Sequence, residues 1–335
     1  MPNILLLFFI TTLVAFLAKG ESHAQTKVRI SNAAMNARVA PLWVAQDQRF
    51  FPKYGINAEV VNIRTAPLML AAMAAGEVQI GYTGGTAVLG AAAGGAELKV
   101  LANFTSRVTY DLVVHPQIKR PQDLRGKRLG VQSIGGTVWM GAILGLEHLG
   151  LEPVRDSIDI LVVGDQTILA QALATGTIDA TVLEGVQSRP LQEKGFAILA
   201  PLAKLGIPFA SLGLVARKEY IEKNPSVIEG ALKAMLEGNA RALSPKNKPS
   251  TLASLQRRLR IGDHEAEQGY NDILIGLDRR PYPSLAGLRN IQRLLKPLNP
   301  KVGKVNIEDL VEDRFLRALD QSGFIDKVLG SYGVR

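Results

Sequence analysis

Apolar residues in the first part of the chain alternate between strand-like and helix-like spacing. Residues 27–31 predict a strand, 41–51 a helix, 57–64 a strand, 66–75 a helix and 77–82 a strand. Short apolar strands that alternate with helices are typical of a parallel sheet covered by helices. We therefore expect an α/β fold.

The same order of elements returns further along the chain. Residues 127–132, 157–163 and 177–183 predict strands, and 137–149 and 167–174 predict helices. The chain thus contains two successive β-α-β-α-β segments.

Met69–Val78 aligns with Leu169–Ile178 at an offset of one hundred residues, each segment running from a helix through a glycine into a strand. Either two lobes share one architecture, or any helix-Gly-strand connection would look this way. We favour two lobes.

Two extended segments, residues 98–115 and 207–217, are the natural crossovers between the lobes. Two crossovers make the first lobe discontinuous. We predict that residues 26–108 and 215–335 form lobe 1 and residues 109–214 form lobe 2. The tail from Asn224 onward has helical spacing and is expected to pack on lobe 1.

Two turns of similar sequence each follow a predicted strand and precede a predicted helix. They are Gly84-Gly85-Thr86 and Gly135-Gly136-Thr137. Such a turn leaves backbone N–H groups and a hydroxyl at a helix N-terminus, where the helix dipole favours a negative or polar group. The pair predicts a ligand held from both sides.

Small, hydroxyl and amide residues follow most of the predicted strands. In open α/β sheets, ligands bind beyond the carboxyl ends of the strands, although the same residues also favour helix caps and tight turns. The predicted ligand-binding residues are Asn32, Met35, Asn36, Tyr82, Thr83, Gly84, Gly85, Thr86, Asn103, Ser133, Gly135, Gly136, Thr137, Gln166 and Glu184.

Two of these residues have open interpretations. Tyr82 could stack on a ligand or donate a hydrogen bond to it, but a tyrosine at a strand end is as often simply packed. Glu184 would prefer an ammonium group or a hydroxyl donor, unless it binds a nearby backbone N–H. It therefore leaves the charge of the ligand open.

The sequence offers little for catalysis or for a cofactor. It has no cysteine, only four histidines, which are scattered, and no phosphate-binding loop, dinucleotide fingerprint or nucleophile elbow. We expect no enzyme, no metal and no cofactor. The net charge of +9 could indicate nucleic-acid binding, but the basic residues are dispersed, and the predicted export argues against such a partner.

Residues 4–18 form an apolar run of signal-peptide length, and Ser22 and Ala24 supply the small residues of a cleavage site. We predict a signal peptide over residues 1–24, cleaved after Ala24. Without a cysteine for lipid attachment, the exported chain is expected in the periplasm.

The chain resembles the extracytoplasmic solute-binding proteins of ABC transporters, in the branch with the nitrate, taurine and alkanesulfonate binders and the thiamine-pyrimidine binders. The matching stretches are Pro41–Ile56, Ala74–Gly85, Asp123–Val131 and Leu173–Ala180. The resemblance implies a two-lobed periplasmic binding protein fold of type II, in which each lobe is a mostly parallel sheet flanked by helices and two strands form the hinge.

The resemblance also implies partners and ligand loops. The partners would be an ABC permease in the inner membrane and its cytoplasmic ATPase, with the binding protein itself a monomer. The family's ligand loops fall on residues 32–36, 82–86 and 133–137 and on Glu184. The absence of cysteine departs from the thiamine-precursor synthases, whose chemistry uses a cysteine-rich motif.

We therefore expect a periplasmic protein that captures a small polar solute, expected to be anionic, such as a sulfonate, nitrate, a taurine-like compound or an aromatic acid. An enzyme on the same fold, related to thiamine-pyrimidine synthesis, is one alternative. A binding protein for a secondary transporter or a sensor is another. The sequence leaves the identity of the solute open.

Overall fold

The computed structural model describes residues 26–63 and 65–334. The predicted leader and its cleavage site after Ala24 lie outside the described residues. The strands are β1 Thr26–Asn32, β2 Ile56–Asn62, β3 Ile80–Thr83, β4 Leu98–Arg107, β5 Asp111–Val114, β6 Arg128–Val131, β7 Asp159–Val162, β8 Ala180–Leu183, β9 Ala197–Pro201 and β10 Pro208–Arg217.

Helices connect and cover these strands. They are α1 Ala40–Asp47, α2 Phe50–Lys53, α3 Ala66–Ala74, α4 Gly85–Ala93, α5 Thr137–His148, α6 Gln166–Ala174, α7 Gly185–Glu193, α8 Lys218–Lys223, α9 Pro225–Leu243, α10 Lys248–Leu259, α11 Asp263–Gly276, α12 Leu285–Leu295, α13 Arg314–Gln321 and α14 Phe324–Ser331. The predicted helix over 41–51 is divided between α1 and α2, because Arg49 adopts a left-handed conformation with φ 57°.

The strands form two five-stranded sheets with equivalent orders, β2-β1-β3-β10-β4 and β7-β6-β8-β5-β9. In each sheet the first three strands are parallel, and the fourth strand, β10 or β5, runs antiparallel to its neighbours. We call the first sheet with its helices lobe 1 and the second sheet with its helices lobe 2. The predicted fold class, two mostly parallel sheets flanked by helices, is confirmed.

The repeat predicted at an offset of one hundred residues extends through several elements. Helices α3 and α6, strands β3 and β8, and helices α4 and α7 end at positions one hundred residues apart. Gly76 and Gly176 both adopt positive φ, 79° and 74°. Each lets the next two backbone N–H groups donate to one carbonyl oxygen of the preceding helix, that of Ala72 or Ala172.

The repeat shows that the two glycine turns do not occupy equivalent positions in the two lobes. The counterpart of Gly84-Gly85 is Glu184-Gly185, because β3 corresponds to β8. The turn at Gly135-Gly136 follows β6, which corresponds to β1. The two Gly-Gly-Thr turns are therefore alike in sequence but hold different places in the two lobes.

Two adjacent crossovers, residues 108–110 and 202–207, join the lobes. The Val108 N–H donates to the Ile207 carbonyl oxygen at 2.9 Å, and the Ala203 N–H donates to that of Tyr110 at 3.2 Å. Strand β10 pairs within the first sheet from Pro208 onward, so the predicted boundary at 214/215 falls inside it. The division into domains remains a prediction, and the pairing places the return to lobe 1 near residue 208.

The apolar core lies on both faces of the sheets. Helices α3, α4 and α12 cover one face of the first sheet, and α1 and α9 cover the other. As predicted, the helical tail packs on lobe 1, with α13 and α14 against α9. No helix in the described residues is long and apolar enough to cross a membrane.

Candidate functional site

A cavity of about 200 Å³ lies between the lobes, where the carboxyl ends of the parallel strands meet. Two residues of β10 and one crossover residue complete its wall. The lining residues are Ala33, Ala34, Asn36, Arg38, Ala66, Thr83, Gly84, Tyr110, Thr137, Glu184, Ser211 and Leu212. Three larger grooves are lined by other residues, whereas this cavity gathers strand-end loops of both lobes.

Three helices of this fold, α4, α5 and α7, begin at the cavity. Their N-caps are Gly84, Gly136 and Glu184, and none of these helices has a side-chain cap hydrogen bond. The first N–H groups of each helix therefore lack intrahelical and side-chain acceptors. With the positive ends of three helix dipoles, the cavity is suited to a group that accepts hydrogen bonds.

Gly84 has to be a glycine because β10 passes very close to it. A Cβ atom at this position would lie 2.6 Å from the Ser211 carbonyl oxygen. The close approach brings Ser211 and Leu212 to the cavity wall beside the start of α4.

An ion pair crosses the cavity from lobe 1 to lobe 2. A guanidinium nitrogen of Arg38 donates to Glu184 Oε1 at 2.9 Å, and both side chains are largely buried. Asn36 Nδ2 donates to the same oxygen at 3.4 Å, while Asn36 Oδ1 accepts from the Arg38 N–H at 3.1 Å. Arg38 Nε is buried without a partner, so one donor of this guanidinium remains unused.

The surroundings of Arg38 keep it charged. Burial opposes the charged form, but the nearby Glu184, Tyr110 and Asp272 more than offset this, and the pKa of Arg38 is raised. Burial and the nearby Glu184 raise the pKa of the Tyr110 hydroxyl, which stays neutral. The cavity therefore combines one fixed cation with one carboxylate.

A second charged cluster lies behind α7, between the lobes. Arg189 of α7 donates to Asp272 of α11 at 2.5 Å and to the Gln268 carbonyl oxygen at 2.9 Å. Burial raises the pKa of Asp272 to about 6, although Arg189 and Arg38 oppose the shift. Burial also raises the pKa of Asp111, which accepts a hydrogen bond from Ser188 at 2.5 Å.

Five of the predicted ligand-binding residues line the cavity. They are Asn36, Thr83, Gly84, Thr137 and Glu184. They come from both lobes, so the structure brings together strand ends that are far apart in the sequence. Their contact with a solute remains a prediction.

Three predicted residues lie in the interior instead. Tyr82 is fully buried, its hydroxyl donates to the Arg38 carbonyl oxygen at 3.3 Å, and its ring packs edge to face on Phe104. Asn103 accepts from the Ser284 N–H at 2.9 Å, and Asn32 donates to the Ala34 carbonyl oxygen at 2.7 Å. These side chains hold the loops around the cavity and are not among its lining residues, and their contact with a solute remains a prediction.

The remaining predicted residues surround the cavity without lining it. Gly85 and Gly136 belong to helix starts, Thr86 donates to Met140 Sδ at 3.8 Å, and Gln166 Oε1 accepts from the Glu184 N–H at 3.0 Å. Gln166 Nε2 is buried without a partner. Met35 and Ser133 are exposed, and a Cβ at Gly135 would lie 3.1 Å from the Leu298 side chain.

Sequence reasoning missed Arg38 and the residues of the crossing strands. Arg38 did carry a signal, since it is the lone charge in the apolar segment 37–45 and a charge there needs a partner. No sequence pattern pointed to Tyr110, Ser211 and Leu212, because their position at the cavity depends on how the crossovers pair. In the described part of the chain, no group of three or more His, Asp or Glu residues could hold a metal ion.

The chain belongs to the NMT1/THI5-like family, whose model matches residues 36–248. It is 26% identical over 227 residues to the taurine-binding periplasmic protein of Escherichia coli K12, a match that covers 67% of this chain and 68% of that protein.

Solved structures share the fold. The putative periplasmic sulfonate-binding protein SsuA of Methylobacillus flagellatus KT aligns over 90% of this chain and 96% of its own, with a TM-score of 0.70 and 19% identity. The periplasmic nitrate-binding protein NrtA of Synechocystis PCC 6803 aligns over 89% of each chain, with a TM-score of 0.66 and 14% identity.

An enzyme also shares this architecture. The desulfurization enzyme DSZB aligns over 89% of this chain and 99% of its own, with a TM-score of 0.60 and 16% identity. The fold alone thus accommodates both binding and catalysis.

Proposed function

We propose that this chain is the periplasmic solute-binding component of an ABC importer and captures a small acidic organic solute between its lobes. The main support for this function is the interlobe cavity. Arg38 and three helix starts without side-chain caps surround a space of about 200 Å³ there. The taurine-, sulfonate- and nitrate-binding proteins named above support an acidic group. An ABC permease and its ATPase are the proposed partners, and the proposed working form is a monomer.

Glu184 restricts the class of solute that the cavity can bind. An acidic group that binds Arg38 would draw that guanidinium away from the Glu184 carboxylate, leaving a largely buried charge without its partner. Such a charge is costly unless a new donor replaces the old one. We therefore propose a solute that carries an ammonium or another hydrogen-bond donor next to its acidic group.

Closure would follow from contacts that only the closed state makes. A solute that touches the α4 start in lobe 1 and the α5 start in lobe 2 binds the closed state more tightly and shifts the population towards it. Because the described cavity lining contains no histidine or lysine, we propose binding rather than turnover. Conversion of a bound solute by the purified protein would contradict this.

A thermal-shift screen of taurine, alkanesulfonates, nitrate and aromatic acids, followed by calorimetry, tests the proposal. Thr137→Val removes a hydroxyl at the cavity and should weaken binding of the best ligand about tenfold. Thr175→Val is the matched control, since the Thr175 hydroxyl donates to the Ala172 carbonyl oxygen at the C-terminal end of α6, outside the cavity lining. Equal affinities for the wild type and Thr137→Val would contradict the assignment of this loop.

A further inference from the structure

Helix α7 of lobe 2 is held by both lobes through two consecutive residues. Ser188 donates to the Asp111 carboxylate of β5 at 2.5 Å, which ties the helix to the sheet of lobe 2. Arg189 donates to Asp272 Oδ1 of α11 at 2.5 Å and to the Gln268 carbonyl oxygen at 2.9 Å, which ties it to lobe 1. The position of α7 therefore depends on contacts with both lobes.

Helix α11 carries Asp272 on the same part of lobe 1 as Arg38. A Cβ at Gly276, the last residue of α11, would lie 3.4 Å from Arg38 Cδ, and one at Gly269 would lie 3.1 Å from Ala37 Cβ. The helix thus packs along the segment that supplies Arg38. Because of this packing, Arg38 and Asp272 should move together when the lobes move.

Two ion pairs of opposite polarity connect this part of lobe 1 to the first two turns of α7. Arg38 of lobe 1 binds Glu184, the N-cap of α7, whereas Asp272 of lobe 1 binds Arg189, one turn further on. Asp272 also interacts electrostatically with Arg38 and Glu184, so the four charges form one cluster. A displacement of α7 that placed Arg189 opposite Arg38 would bring two cations together, and the alternation of charge therefore favours one relative position of the lobes.

Close packing at Gly185 brings the second ion pair onto the start of α7. A Cβ at Gly185 would overlap Asp272 Oδ1 and would lie 2.7 Å from Arg189 Cζ. Gly185 is the first residue of α7 and follows Glu184, which lines the solute cavity. A larger residue at position 185 would therefore separate lobe 1 from this helix start.

We propose that Arg189 and Asp272 are positioning residues that keep α7 against lobe 1 while a solute separates Arg38 from Glu184. Neither residue lines the solute cavity, so a solute that binds Arg38 leaves this second pair in place. The pair then supplies the interlobe contact that the first pair loses, and the N–H groups at the α7 start stay at the solute. This inference rests on the proposed function and adds the residues that hold the closed state from outside the cavity.

Asp272→Asn removes the charge of the positioning pair and keeps the size of the side chain. With whichever of taurine, an alkanesulfonate, nitrate or an aromatic acid binds best, dissociation should become about tenfold faster, because the closed state loses a charge-assisted hydrogen bond. The association rate should stay nearly unchanged. The radius of gyration of the unliganded protein, measured by small-angle X-ray scattering, should increase.

Asp179→Asn is the matched control for this substitution. Asp179 pairs with Arg128 at 2.9 Å, and both residues belong to lobe 2. The control removes an aspartate–arginine pair without touching the contact between the lobes. It should change neither the dissociation rate nor the radius of gyration.

Gly185→Ala tests the close contact itself. In the wild-type background the added methyl group collides with Asp272, so dissociation should be about tenfold faster. In an Asp272→Ala background the space is free and Arg189 is no longer held over it, so the same substitution should change the rate less than about twofold. Gly90→Ala is the matched control, because a Cβ there meets nothing within 4 Å.

The outcomes separate the two proposals. If Asp272→Asn leaves the dissociation rate or the radius of gyration unchanged, the positioning role is overturned and the proposed function stands. Equal effects of Gly185→Ala in both backgrounds would also overturn it, because the methyl group would then act on another contact. If none of the screened solutes binds the wild type, the proposed function fails and the role towards the solute fails with it, while scattering still decides whether the pair holds the lobes.

Discussion

Arg38 decides the electrostatic character of the cavity at the scale of single residues. It is buried, it bridges the lobes through Glu184, and the backbone around it is fixed by Asn36 and Tyr82. A buried ion pair need not stabilise a fold relative to apolar residues, but the loss of one partner strands the other charge. The contribution of this ion pair to stability therefore has to be measured with single and double substitutions of Arg38 and Glu184.

Arg38→Met should lower the free energy of unfolding by about 2–3 kcal/mol, because Glu184 loses its partner while it stays largely buried. It should also abolish binding of an acidic solute. Arg29→Met is the matched control, since the Arg29–Glu59 pair at 3.1 Å is partly exposed, and it should cost less than about 1 kcal/mol. Denaturant unfolding measures both variants.

The double variant Arg38→Met/Glu184→Gln separates stability from binding. It removes both charges, so most of the lost stability should return while affinity for the solute stays low. If the double variant is no more stable than Arg38→Met alone, the ion pair is not the cause of the loss.

At the scale of elements, α4 and α12 pack closely on β10 through glycines. A Cβ at Gly85 would lie 2.7 Å from Ala210 Cβ, and one at Gly287 would lie 2.4 Å from the Ala210 backbone nitrogen. These contacts fix the start of α4, which borders the cavity. The sequence predicted the start of α4, but not that β10 would lie against it, since β10 arrives from more than one hundred residues away.

Gly287→Ala should destabilise the protein by about 1–3 kcal/mol, because the backbone of β10 would have to move. Gly90→Ala in α4 is the matched control, as a Cβ there meets nothing within 4 Å. It should stabilise by about 0.5–1 kcal/mol through the helix propensity of alanine. Guanidinium unfolding compares the two, and equal effects of both substitutions would contradict the packing argument.

At the scale of the whole molecule, several ion pairs join the two lobes. Besides Arg38–Glu184, the described residues include Arg189–Asp272 at 2.5 Å and Arg293–Glu147 at 2.7 Å. Arg189–Asp272 and Arg293–Glu147 each join a helix of one lobe to a helix of the other. Arg38–Glu184 joins the segment before α1 to the N-cap of α7. Several of these charges lie outside the solute cavity, so the relative position of the lobes is not set by the solute alone.

Asp272 should make stability depend on pH. Its pKa is about 6 in the folded protein against 3.8 as its ordinary value, so folding favours its protonated form. Its contribution is therefore complete below about pH 4 and is lost as the pH rises through 6. Between pH 7.5 and 4.5 the wild type should gain on the order of 2 kcal/mol relative to Asp272→Asn. Parallel melting-temperature profiles for the two proteins would contradict this.

The sequence by itself determined the order of strands and helices, the repeat at one hundred residues and the strand-end loops that line the cavity. These follow from local spacing and glycine turns, which act within a few residues of the chain. Only the tertiary structure decided that Glu184 pairs with Arg38, that Tyr82 is buried, and that Tyr110, Ser211 and Leu212 reach the cavity. Those positions depend on how the crossovers pair and how the lobes face each other, and such long-range contacts leave no periodic pattern in a single sequence.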